Sequence, residues 1–301
     1  MHAHGHSHTA PATSRSFAIG IGLNLLFVVV EVVYGLRAHS LALLSDAGHN
    51  TGDVLGLGLS WGALILGQRP PTARHTYGMR RASILASLGN AILLLVAVGG
   101  ISWEALQRLR HPHAVAGQTV MVVAAIGIVV NGLAALLFMS GRDHDINIRG
   151  AFQHMLSDAV VSLGVVLAGI AILFTGKSWL DPVVSLGVGA VIVLGTWSLL
   201  KESLRLAMDA VPEGTDLPGI QRYLEELPGV VAVHDLHVWA MSTTEHALTV
   251  HLIVPERVIT DDVMARICGE LHSRFGIEHT TIQVERGDGA AECGQAPAHV
   301  V

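Results

Sequence analysis

The chain has 301 residues, 51% of them hydrophobic and only 14% charged, with a mean hydropathy of +0.53 and a formal net charge of −6. Soluble domains carry about 25% charged residues, so this composition argues against one and for an integral membrane protein. The negative balance gives no basis for nucleic-acid binding, and two cysteines, Cys268 and Cys293, give no disulfide framework and suit a reducing compartment.

The opening run MHAHGHSH sets His2, His4, His6 and His8 among small residues. Residues 1–15 therefore read as a flexible arm for weak metal capture, with a plain unstructured tail as the alternative. The run lacks a basic start and a small-residue cleavage site, so it does not read as a signal peptide. Six apolar segments follow: Phe17–Leu36, Leu41–Leu66, Ile84–Leu106, Val120–Met139, Ala151–Phe174 and Val183–Leu200. Each is long enough to cross a hydrocarbon core of ~30 Å as a helix. Arg15, Arg69, Arg74, Arg80, Arg81, Arg142 and Arg149 flank one side, against Arg37, Arg108, Arg110 and Lys177 on the other. That bias places both termini in the cytoplasm.

The second segment is the unusual one. Asp46, His49 and Asp53 sit inside it. At ~100° per residue, His49 and Asp53 lie ~40° apart and Asp46 lies ~20° from Asp53, so all three share one narrow face. A charge in hydrocarbon costs at least ~2.5–3.5 kcal/mol, so such residues face a bundle interior and mark a site or pathway. The fifth segment repeats the device with His154 and Asp158, again four apart. Two imidazoles and two carboxylates supply the four ligands of a tetrahedral Zn²⁺. A mutual ion-pair lock would not account for the repeated spacing. Imidazole favours zinc, then cadmium or cobalt, over manganese or magnesium.

The second segment also reads Gly48-x3-Gly52-x3-Gly56. Small residues so spaced let a neighbouring helix approach closely, either to bring the other His/Asp pair into reach or simply to pack. Asn24 and Asn131 read as partners in helix–helix hydrogen bonds, and Glu31 either as a buried partner or as part of a proton route. Trp61, Trp103, Trp179 and Trp197 lie near segment ends, where indoles anchor at the interface.

After Leu200 the chain becomes charged, and Pro212 stops the last long helix. DLPGIQRYLEEL reads as a helix, VVAVHDLHVWAM and HALTVHLIV as strands, TDDVMARICGELHSRF as an amphipathic helix, and HTTIQVE as a last strand. The expected domains are the arm 1–15, a six-helix transmembrane domain 16–208, an αββαβ domain of α+β class at 209–287, and a disordered tail 288–301.

The segments SLALLSDAGHNTGDVLGLGLSWGA, RHTYGMRRASILA, AFQHMLSDAVVSLGVV, DAVPEG, VHDLHVW and HTTIQVE resemble the cation diffusion facilitator family, in its zinc/cadmium/cobalt efflux branch. The resemblance covers Phe17–Glu285. It implies a homodimeric metal–proton antiporter, embedded in lipid, whose cytosolic domain has a ferredoxin-like metallochaperone fold. It implies that His49, Asp53, His154 and Asp158 form the transport site, with Asp46 a nearby acidic position on the same helix. It implies a cytosolic zinc site on His234, His251 and Glu285, with His279 or Glu278 as fourth ligand. His237 is expected on the opposite strand face. The loop Thr72–Met79 offers only His75, with Met79 where a histidine would be expected, so no full second site is expected there. The implied location is a bacterial inner membrane, and the implied cargo is a divalent metal ion such as Zn²⁺. The chain is not expected to be an enzyme: an intramembrane metal hydrolase needs an open coordination position for water, which four ligands would fill. A metal sensor without transport is the other alternative, although six spans exceed what sensing requires.

Overall fold

The structure, a computed structural model, describes residues 11–139, 146–255 and 259–287; some side chains inside helices, that of His154 among them, fall outside the description. The arm histidines His2, His4, His6 and His8 and the tail 288–301 also lie outside the described residues. Six long helices come first: α1 (Pro11–Ala38), α2 (Leu41–Gly67), α3 (Ala82–Arg110), α4 (Gly117–Met139), α5 (Ile146–Thr175) and α6 (Leu180–Ala207). The shortest has 23 residues, which at 1.5 Å per residue is about 35 Å and spans a hydrocarbon core. Among the described residues, α3 and the stretches Gly117–Leu136, Met155–Thr175 and Leu180–Ala207 are each long and apolar enough to cross a membrane. The chain forms two compact units, Met1–Gly58 with Asn90–Trp197, and Leu59–Gly89 with Ser198–Val301.

In the first unit, Phe27, Leu43, Val98, Val120, Val165 and Ile192 form the buried centre, while Leu26, Val96, Val160 and Leu194 point outward. That inside-out distribution suits lipid. α1 turns into α2 through His39, at φ 54, and Ser40. The amide of Leu43 donates to Ser40 Oγ at 3.2 Å, a local N-cap. Asp181, in the first turn of α6, caps the same end from across the bundle. It accepts from Leu41 N at 2.7 Å, from Ala42 N at 3.4 Å and from the Ser40 hydroxyl. One turn along, Ser45 Oγ and Ser185 Oγ lie 2.7 Å apart. The start of α2 is thus tied to α6.

The glycine stripe of α2 receives α3. A Cβ on Gly52 would lie 2.0 Å from Leu94 Cδ2, one on Gly56 2.8 Å from Asn90 Nδ2, and one on Gly48 3.5 Å from Ile101 Cδ1. Of the two roles open to the stripe, it serves simple packing, and the His/Asp face of α2 meets α5 elsewhere on the helix.

The second unit contains α7 (Leu217–Glu225), β1 (Ala232–Ala240), β2 (His246–Ile253), α8 (Asp261–Phe275) and β3 (Ile277–Glu285). Asp216 caps α7 by accepting from Gly219 N at 3.0 Å, and Gly276, at φ 68, closes α8 in the left-handed conformation. The sheet order is β1-β2-β3, with β1 antiparallel and β3 parallel to β2. Ile220 and Leu224 of α7 and Ile267 and Leu271 of α8 bury one sheet face against Val238, Leu248, Val250 and Leu252. The segment after α2 joins this unit: Arg80 Nη1 meets Glu245 Oε2 at 2.6 Å, Arg81 pairs with Asp209, and Thr243 N donates to Ser83 Oγ at 3.1 Å.

Candidate metal centre

Within the helical unit, α2 and α5 bring their acidic and imidazole groups together. His49 Nε2 lies 3.8 Å from Asp53 Oδ2 on its own helix and 3.4 Å from Asp158 Oδ1 on α5. A tetrahedron with zinc–ligand bonds of ~2.0–2.1 Å has edges of about 3.3–3.4 Å. His49 thus stands within about one tetrahedron edge of each carboxylate in turn; the two carboxylates do not close with it into a grouping as tight as the one in the second unit. Asp158 is 1% exposed, whereas the His49 and Asp53 side chains each keep 24% of their surface open. His154 stands one helical turn before Asp158 on α5, and its side chain lies outside the described residues.

Asp46 and Glu31 are fully buried beside this group. Ser162 Oγ donates to Asp46 Oδ2 at 3.1 Å, Asn50 Nδ2 donates to Glu31 Oε2 at 3.0 Å, and the two carboxyls adjoin one another. Sequence reasoning passed over Ser162 and Asn50. Ser162 carries a legible signal, since it continues the four-residue spacing of His154 and Asp158 on α5. The helix–helix hydrogen bonding expected of the two asparagines is missing at three of their side-chain atoms. Asn131 is 1% exposed with neither amide atom partnered, and Asn24 Oδ1 is likewise unpartnered.

In the second unit, His234, His251 and Glu285 offer ligand atoms all within 4.8 Å of one another, the one such grouping among the described residues. The register explains it: His234 pairs with His251 across β1 and β2, while Ile253 pairs with Glu285 across β2 and β3. His251 Nδ1 lies 2.9 Å from Glu285 Oε1 and His234 Nε2 lies 3.6 Å from Glu285 Oε2.

Asp235 is the residue that strand alternation misses. It adopts φ 51 inside a β-bulge, where the pairing jumps from His234↔His251 to His237↔Thr249. The extra residue turns its carboxylate toward His251 Nε2, 3.5 Å away, and toward His237 Nε2, 2.8 Å away. His251 thus has Glu285 at one ring nitrogen and Asp235 at the other. That is the usual support for a metal-binding imidazole, whose second nitrogen donates to a carboxylate and fixes the tautomer. The bulge also corrects the expectation for His237: Thr249 and His251 share a face, so His237 and His234 do too.

The two candidates for a fourth ligand sit elsewhere. His279 pairs with Ala247, six residues from Glu285 along β3, and its ring meets Tyr77 edge-on at 5.4 Å. At ~3.3 Å per residue that is about 20 Å from the cluster. Glu278 Oε2 lies 3.3 Å from His272 Nδ1. His75 is exposed in a turn held by Thr72, whose carbonyl accepts from His75 N at 3.2 Å, and it joins no metal-type grouping among the described residues.

Fold and side chains together define an integral membrane protein of apolar helices, with a histidine–carboxylate cluster among them, followed by a small α+β cytoplasmic domain. The family model for the cation efflux transmembrane domain matches residues 17–207, and that for the cation efflux protein cytoplasmic domain matches residues 212–287. The chain therefore belongs to the cation efflux family, the cation diffusion facilitators. It is similar to the metal cation efflux system protein CzcD of Cupriavidus metallidurans, with 36% identity over 90% of this chain and 85% of that protein. It is 35% identical to a cadmium, cobalt and zinc/H(+)-K(+) antiporter of Bacillus subtilis, over 86% of this chain and 85% of that protein. It is 37% identical to the zinc transporter ZitB of Escherichia coli, over 86% and 83% respectively.

Proposed function

We propose that the protein exports zinc, and with it cadmium or cobalt, from the cytoplasm in exchange for protons, binding the cargo through His49, Asp53, His154 and Asp158 between α2 and α5. The observation that carries this reading is the position of His49 Nε2 between carboxylates of two different helices, 3.8 Å and 3.4 Å away. Two carboxylates offset the two charges of the cargo, so the loaded centre is neutral and tolerable among apolar helices. An emptied centre would leave two carboxylate charges there, each costing at least ~2.5–3.5 kcal/mol. Proton uptake on the same ligands removes that charge, because zinc needs neutral imidazole and ionised carboxylate. Facing the cytoplasm, where protons are scarcer, the site loads metal; facing the other side, protons displace it.

The names of the relatives support metal efflux and antiport, and the described hydrophobic exterior supports lipid as the surroundings. The arginine bias supports cytoplasmic termini, and the bacterial origin of the relatives supports a bacterial inner membrane. The grouping of His234, His251 and Glu285 is a second, cytosolic zinc site that favours one arrangement of a homodimer and so regulates transport. The arm histidines deliver metal weakly.

The test is zinc flux into sealed vesicles of the reconstituted protein, with and without an imposed pH gradient. Uptake that the gradient accelerates supports antiport. Zinc binding without flux would leave a sensor, and hydrolysis without flux an intramembrane enzyme.

A further inference from the structure

Two helix contacts fix what lies level with Asp158. The amide of Ala116 donates to the carbonyl of Ala38 at 3.2 Å, so α4 begins where α1 ends. Eleven residues back along α1 and eleven forward along α4, Phe27 packs on Gly127, where an added Cβ would lie 2.6 Å from the ring. The two helices are thus antiparallel and in step, and one further turn brings Asn24 and Asn131 to one level. The same side of α4 meets α5. A Cβ on Gly169 would lie 2.8 Å from Met121 N, and one on Gly127 would lie 3.1 Å from Ser162 Oγ. Asn131 is four residues past Gly127, and Asp158 is four before Ser162, so one turn along this contact sets Asn131 against Asp158.

Asn131 is 1% exposed, and neither its Nδ2 nor its Oδ1 has a hydrogen-bond partner. A buried amide without a partner is costly to keep, and here it stands level with a proposed ligand.

We propose that Asn131 is a positioning residue for Asp158 in the metal-loaded state; the proposal rests on the four-ligand reading above. His49 Nε2 lies 3.4 Å from Asp158 Oδ1. With the cargo bound, one Asp158 oxygen faces the ion. Asn131 Nδ2 then donates to the Asp158 oxygen that does not bind the metal, holding the carboxylate in a one-oxygen mode. A carboxamide suits the task because it donates at every pH and adds neither charge nor proton to the exchange. Hydrogen-bond partners of metal ligands contribute about 10–100-fold in metal affinity.

The experiment uses the full chain in sealed proteoliposomes, with zinc uptake measured against zinc concentration. Asn131→Leu keeps the branched shape, with some added bulk, and removes the donor, Asn131→Ser keeps a shorter donor, and Asp158→Ala serves as control. Asn131→Leu should raise the zinc KM about 10–100-fold while the maximal rate stays within about twofold, and Asn131→Ser should raise KM less. An unchanged KM, or a lost maximal rate at unchanged KM, would show a packing role only and overturn the proposal. If Asn131→Leu does not assemble, Asn131→Ser decides alone: an unchanged KM overturns the proposal. Normal transport by Asp158→Ala would instead refute the four-ligand reading. A dead Asp158→Ala beside a wild-type KM in Asn131→Leu refutes only the positioning role.

Discussion

Replacing Asp181 by alanine tests how α2 is anchored. Its carboxylate accepts from Leu41 N at 2.7 Å, Ala42 N at 3.4 Å and the Ser40 hydroxyl, all buried. Truncation leaves the Leu41 amide and the Ser40 hydroxyl to find new partners. Each buried donor left unpaired costs ~1–3 kcal/mol, and loss of a helix cap typically costs ~1 kcal/mol. The 3.4 Å bond adds little, and Ser40 Oγ still caps Leu43 at 3.2 Å. A net loss of about 2–5 kcal/mol follows. An asparagine at this position would keep one acceptor oxygen, so Asp181→Asn should lose about half as much. At ~2–4 °C per kcal/mol for a domain of this size, thermal unfolding in detergent should show Asp181→Ala melting roughly 5–15 °C lower. Because the capped turn precedes His49 and Asp53 on the same helix, zinc affinity should weaken as well. An unchanged Tm in Asp181→Ala would refute the view that this carboxylate ties α2 to α6.

Asp53→Ala and Asp158→Ala should each abolish zinc flux in vesicles while the protein still inserts and dimerises, as read by size-exclusion chromatography. His49→Asp hardens the ligand set, so competition assays should show more cadmium and manganese admitted relative to zinc. Asp235→Ala should lower zinc affinity of the cytosolic site about 10-fold or more by releasing the His251 tautomer. Calorimetry on the full chain carrying Asp158→Ala and lacking the arm isolates that site.

How much was legible in sequence depended on whether a residue's surroundings follow from local periodicity. The shared face of His49 and Asp53 was, because a turn of ~100° per residue puts both on one side of α2 whatever the helix packs against. The αββαβ order was, because apolar alternation, Asp216 and Gly276 punctuate it locally. What remained hidden required tertiary contact or a break in period. The glycine stripe of α2 has two geometrically valid partners, and only Leu94 and Asn90 filling it decide between them. Asp235 was hidden because one bulged residue reverses strand parity, and the same bulge turned His237 to the face of His234. Asn131 was read as a bonded polar residue because a buried amide ordinarily is; its orphaned atoms emerge only from the packed bundle. The resemblance offered Glu278 or His279 as a fourth ligand, yet the extended strand carries both away from Glu285.

Glu31→Gln separates two accounts of the proposed proton exchange. Glu31 is fully buried and receives the Asn50 amide at 3.0 Å. Glutamine keeps an acceptor oxygen for Asn50 and nearly the same volume but cannot carry a proton, so the variant should assemble normally. His49 and Asp53 differ in kind, since about a quarter of each side chain, 24%, stays open. The first account places the coupling protons on the ligands themselves. On that account, zinc affinity of the site must rise with pH in both wild type and Glu31→Gln. Zinc competes with protons for imidazole, so protonation at low pH weakens binding and deprotonation strengthens it. The measurement is zinc binding in detergent between about pH 5.5 and 8, in weakly buffered solution, with proton release followed directly. His234→Ala and His251→Ala, with the arm deleted, remove competing sites. Protons should be released on binding, and the pH gradient should still drive uptake by Glu31→Gln. If Glu31→Gln binds zinc normally but transports without regard to the gradient, the coupling proton rides on Glu31. The His/Asp ligands would then carry the metal alone.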